Sequence, residues 1–149
     1  MRGFAANLGW LWPHLPLAGA ADAARAAGSG AVEIIDPYAE GAAAAAAAID
    51  AAGLPLAVMN LAMGEPGAFG CAAVAGAEAL LDADLDLAMG YAARLSPGVV
   101  HIPAGRAQGP EARTRYVGRL KRACALWPGQ AFTIEPINDR DVPGYHLAT

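Results

Sequence analysis

Short apolar runs alternate with alanine-rich, helix-forming segments along this chain, and that alternation constrains the fold more than any other feature. The runs are GFAANL (3–8), AVEII (31–35), LPLAVMNL (54–61), GVVHIPAG (98–105) and QAFTIE (130–135). Between them, the patterns at 17–28, 39–53, 77–95 and 111–127 predict helices. In the third of these, Leu81, Leu85, Ala88, Ala92 and Leu95 recur three or four apart and share one face. In the fourth, Tyr116, Leu120, Ala123 and Trp127 form the expected inner stripe. The seven alanines at 42–48 need no special account, because alanine is the best helix former. Strand–helix alternation of this kind implies a parallel α/β sheet with about five strands and four crossover helices.

Two architectures satisfy that pattern: a doubly wound open sheet, or part of a (β/α)8 barrel. No G-x-G-x-x-G follows the first strand, which runs instead into the bulky GWLWPHLP. Polar residues gather where the predicted strands end, at Asn7, Asp36, Asn60, His101 and Glu135. A barrel builds its site at that end, which favours the barrel.

The length, 149 residues, suits one domain of ordinary size. Charged residues make up 16% of the chain, against ~25% for typical soluble domains. No run is a credible membrane span, because the longest apolar-looking one is alanine interrupted by Asp50. The first residues lack the apolar core of a signal peptide, so a cytoplasmic location is expected. A net charge of −4 disfavours nucleic acid as a partner. Arg115, Arg119 and Arg122 fall on one helical face, where a solvated surface is the simplest expectation. Cys71 and Cys124 have no metal-ligand spacing and are expected to be reduced thiols.

Glu135 is the leading candidate for chemistry. A carboxylate at the end of a buried strand is costly unless it is paired, hydrogen-bonded or bound to a metal. It is either a metal ligand or general base, or half of a structural ion pair with Arg140 or another arginine. Pro136 removes the next ladder donor and closes the strand. His101, one residue before the end of its strand, is a substrate-side group or a satisfied core histidine. Asn7 and Asn60 either hydrogen-bond substrate hydroxyls or cap nearby helices. Glu33 is an interior polar residue or lies at a strand edge. His14 and His146 fall in loops and are expected at the surface.

FAANL, AVEIIDPY, VMNL, HIPAGR and IEPINDRDVPGY, in this order and spacing, resemble the hydroxypyruvate isomerase family of xylose-isomerase-like TIM barrels. The resemblance covers essentially the whole chain and is most specific from Ile134 to Tyr145. It implies an isomerase of sugar and glyoxylate metabolism that interconverts hydroxypyruvate and 2-hydroxy-3-oxopropanoate. A base removes the proton from the hydroxyl-bearing carbon, an enediolate forms, and the proton returns to the neighbouring carbon. Glu135 matches the family's EPIN glutamate, which implies one of two acid/base carboxylates and a ligand to Mg²⁺ or Mn²⁺, with no organic cofactor. His101 matches the strand-four histidine, implying a place beside the substrate. Arg140, from its position alone, could face a substrate carboxylate.

The chain departs from the family in length, since such barrels typically run to ~250 residues. Residues 1–149 then correspond to the N-terminal part, without strands six to eight. The expectation is a chain inactive by itself, a fragment acting with a complementing C-terminal half or as a homo-oligomer. The rival readings are another isomerase or epimerase of the superfamily, such as a 2-oxo-tetronate isomerase, and a non-catalytic half-barrel assembly module. A DNA-repair endonuclease of related fold fits less well, because the chain is acidic and lacks a histidine-rich metal set.

Overall fold

The structure is a computed structural model that describes residues 3–149. The strands are β1 (Ala5–Asn7), β2 (Ala31–Ile34), β3 (Leu56–Asn60), β4 (Val99–His101) and β5 (Phe132–Thr133). The helices are α1 (Leu8–Leu11), α2 (Leu17–Ala26), α3 (Ala42–Ala52), α4 (Glu78–Leu95) and α5 (Pro110–Leu126). The sheet runs in the order β1-β2-β3-β4-β5, and the described pairings are parallel. Sequential order with helical crossovers is what the alternation predicts. No helix among the described residues is long and apolar enough to cross a membrane.

Two element assignments need correction. The bulky GWLWPHLP, to which no element was assigned, begins inside a helix, since its first residues belong to α1. Asn7 makes this possible, its side-chain Oδ1 accepting from the Trp10 N–H at 3.1 Å. The fifth strand was read as 130–135 and buried, but β5 is only Phe132–Thr133. Ile134 is 47% exposed and Glu135 is exposed beyond the strand. β5 is last in the strand order, so one of its edges has no described partner, and Pro136 follows at once.

The chain divides into two compact units, Met1–Asn60 with Met89–Val99, and Leu61–Ala88 with Val100–Thr149. In the first, β1 pairs with β2 in the register Asn7↔Glu33, and β2 with β3 in the register Glu33↔Val58. Paired residues stand on the same side of a sheet, so Asn7, Glu33 and Val58 share one face, and alternation returns Asn60 to it. Glu33, half-buried, is thus a residue of that face and not an edge error. The helices α2 and α3 pack together through alanines, with Ala20, Ala21, Ala24, Ala45, Ala48 and Ala52 all buried. Small side chains let the two helices approach closely, which explains the composition.

In the second unit β4 pairs with β5 in the register Val100↔Phe132 and His101↔Thr133. The Leu61 N–H donates to the His101 carbonyl at 2.9 Å. Leu81, Leu85 and Ala88 of α4 are buried, as their spacing predicts. On α5 the buried stripe is Ala112, Tyr116, Arg119 and Ala123, with Arg119 taking the place expected for Leu120.

The arginine stripe is only partly the solvated face expected: Arg122 is exposed, Arg115 is half-buried and Arg119 is buried. Arg119 is 6% exposed, and its Nη1 donates to the carbonyls of Cys71, Ala72 and Val74 at 2.8, 3.1 and 2.7 Å. Its Nη2 pairs with Glu78. Arg115 donates to the Ala73 carbonyl at 3.0 Å, and Arg122 makes two 2.7 Å bonds to Asp82. Together these arginines hold the 71–74 segment and the start of α4 against α5. Two glycines admit that segment. A Cβ on Gly105 would lie 2.4 Å from the Gly70 carbonyl oxygen, and one on Gly70 would lie 2.4 Å from Pro103. Both residues have positive φ, so any side chain would clash and be strained as well.

Candidate active site

In the second unit, the strand register sets the C-terminal ends of β4 and β5 side by side. His101 ends β4 beside Thr133, and Glu135 follows two residues beyond Thr133. His101 is 4% exposed, and among the described residues its Nε2 has no hydrogen-bond partner. Burial lowers its pKa to about 4, because the charged imidazolium is poorly solvated there. It is therefore neutral near pH 7, with a ring nitrogen uncommitted.

Glu135 is an exposed carboxylate that forms no ion pair among the described residues, so pairing with Arg140 or another arginine does not explain it. Its charge reaches Tyr145, whose hydroxyl pKa is pushed up mainly by burial, with Glu135 adding to the rise. The Tyr145 oxygen accepts the Ala104 N–H at 3.0 Å, which partly offsets it.

Tyr145 and its surroundings escaped the sequence reading. The segment after β5 folds back so that Tyr145 bridges antiparallel to Arg106, and the His146 N–H donates to the Gly105 carbonyl at 3.0 Å. Tyr116 reaches from α5 to donate to the Ile102 carbonyl at 2.8 Å, and its pKa is raised by burial. His146, read as a solvated loop residue, is half-buried. Its Nδ1 is 3.2 Å from the Ala107 carbonyl and its ring meets Tyr116 edge-on. No sequence signal marks these contacts, because a return of an irregular loop onto another has no period.

Arg140 is exposed in the loop after β5, where it lines an open depression of about 440 Å³ with Asn138, Asp139, Asp141 and Thr149. In the first unit, Asn7 serves as the cap of α1. Asn60 is buried, and its carbonyl accepts the Tyr38 hydroxyl at 2.8 Å. Tyr38 in turn packs edge-on against Tyr91 at 4.9 Å.

Among the described residues no three His, Cys, Asp or Glu side chains gather to hold a metal. Cys71 is buried against Asp84, and its thiol pKa is raised to about 11, chiefly by burial. That leaves it a poor ligand and a poor nucleophile. Glu135 alone does not make a metal site.

The sequence profile of the xylose isomerase-like TIM barrels matches residues 21–149. The chain belongs to that family. A Cupriavidus necator protein named 2-oxo-tetronate isomerase is 38% identical over 155 residues, covering 99% of this chain and 60% of its own length. A Mus musculus protein, provisionally named as a hydroxypyruvate isomerase, is 38% identical over 160 residues, covering 98% of this chain and 58% of its own length. The crystal structure of a Brucella melitensis protein titled AP endonuclease, family 2, superposes with a TM-score of 0.90 at 28% identity, covering 99% of this chain and 60% of that one. The chain thus spans about three-fifths of the length of these family members. The strand order β1 to β5 is that of a barrel's consecutive strands, which decides between the two architectures in favour of part of a (β/α)8 barrel.

Proposed function

We propose that this chain supplies the acid/base carboxylate of an aldose–ketose type isomerase acting on small hydroxy-oxo acids, with hydroxypyruvate as the first substrate to test. The observation that carries this reading is the exposed Glu135, which forms no ion pair among the described residues and lies two residues past Thr133, the register partner of the buried, neutral His101 at the end of β4. In the reaction, Glu135 takes a proton from C3 of hydroxypyruvate, leaving the electron pair in a C2–C3 enediolate. The protonated carboxyl then returns a proton to C2. One hydroxyl proton passes from O3 to O2, and the product is 2-hydroxy-3-oxopropanoate. Neutral His101 is suited to hydrogen-bonding one of those oxygens. Arg140 is the candidate for the substrate carboxylate.

The test is exchange of the C3 protons of hydroxypyruvate with solvent deuterium, followed by NMR on the intact protein. Glu135→Gln keeps the shape and removes the base, and the expected loss is ~10²–10⁴-fold. Undiminished exchange in that variant would remove Glu135 from the mechanism. A 2-oxo-tetronate is the alternative substrate, favoured by the name of the Cupriavidus necator relative. The same assay with both acids separates the two. Action on nucleic acid is disfavoured, because Arg115, Arg119 and Arg122 are spent on carbonyls and carboxylates within the second unit.

A further inference from the structure

One group in the second unit touches three loops and has no part in the chemistry above. Arg106 lies in the loop after β4. Its Nε donates to the Gly67 carbonyl at 2.8 Å, in the loop after β3, and its Nη1 donates to the Pro143 carbonyl, in the loop after β5. Its guanidinium carbon stands 5.7 Å from the centre of the Phe69 ring. Phe69 has a φ of 55°, a left-handed conformation that a bulky residue adopts only when its surroundings enforce it. The Arg106 backbone also bridges Tyr145, the residue that senses the charge of Glu135.

We infer that Arg106 is a positioning residue: a clasp that fixes the loop carrying Glu135 against the loop after β3, and through it the aim of the carboxylate. This deepens the isomerase reading and rests on it for the link to Glu135. The planar fork is essential. Its Nε–H and Nη1–H diverge to two carbonyls from different loops while its charge stands over an aromatic ring. A lysine ammonium offers a point charge and does not reproduce that divergence. A displacement of about 1 Å at a reacting group costs ~10²-fold in rate, so a loosened loop should be felt in turnover before it is felt in binding.

The test compares Arg106→Lys with a control, Arg113→Lys, on the exposed side of α5. Two readouts are taken on the intact protein. The first is amide exchange at Ala68 and Tyr145, whose N–H groups bond within the two clasped loops. Exchange should quicken about tenfold or more in Arg106→Lys, with the α5 amides unchanged. The second is turnover of hydroxypyruvate, where kcat should fall ~10–100-fold with KM within about twofold and the urea midpoint nearly constant. Unchanged exchange at both amides overturns the clasp. So does a fall in kcat no larger than the loss of folded protein. If the unaltered chain turns nothing over by itself, as is expected of a chain that spans three-fifths of its relatives, the exchange readout decides: faster exchange at both amides supports the clasp and unchanged exchange overturns it.

Discussion

Removing the Arg119 guanidinium while keeping its stem should be the most damaging conservative change in the second unit. Arg119→Met leaves the buried methylene packing in place and deletes only the polar head. The carbonyls of Cys71 and Ala72 then lose a charged donor in a buried setting, and that of Val74 loses one in a partly buried setting. Hydrogen bonds to charged groups contribute ~1.5–3 kcal/mol each. Taking the two buried ones near the low end and discounting the third for solvent, the loss is about 4 kcal/mol. Natural domains have only ~5–15 kcal/mol in total, so the chain would be close to unfolding. With a urea m-value of ~2 kcal/mol/M, the denaturation midpoint should fall by about 2 M. Arg119→Lys should recover less than half of this, because one ammonium cannot span three carbonyls. Glu78→Gln should leave the midpoint unchanged within error, because Glu78 is 65% exposed and Arg119 keeps its carbonyl partners. A midpoint for Arg119→Met within 0.5 M of the parent, or a larger loss in Glu78→Gln, would refute the reasoning.

Three further outcomes follow from the same geometry. The folded-state pKa of His101 is lowered to about 4 from 6.5, so the unfolded chain binds the proton first as pH falls. Stability contributed by the neutral ring is full above pH 6.5 and is lost between there and pH 4, by about 3 kcal/mol, and NMR titration of the ring should find no midpoint near 6.5. Gly105→Ala meets the Gly70 carbonyl at 2.4 Å and should cost about 3 kcal/mol or more, whereas Gly118→Ala, in α5 with nothing within 4 Å, should gain up to ~1 kcal/mol by thermal unfolding. Cys124 is exposed and Cys71 is buried with its pKa near 11, so at pH 8 a thiol reagent should modify Cys124 promptly and reach Cys71 only on unfolding.

The sequence by itself determined the alternating α/β order, the inner face of α4 and the short-range role of Pro136. Those features rest on period, propensity and turn chemistry, which act over a few residues and are written in the order of side chains. It also drew attention to His101 and Glu135, because polar residues at strand ends are conspicuous in an apolar chain. It misjudged whatever depends on a distant neighbour. A helical wheel cannot tell an arginine facing water from one facing three carbonyls, so Arg119 was read as solvated. Strand propensity cannot tell whether a strand is flanked, so β5 was read as longer and more buried than it is. The capped turn of α1 hid behind a run of bulky aromatics until the Asn7 side chain was seen to accept the Trp10 N–H. Only the tertiary structure could bring Tyr145 to Ala104 or Arg106 to Gly67 and Pro143. These contacts join irregular segments 37 to 41 residues apart, where no local periodicity records the encounter and hydrogen-bond geometry alone decides it.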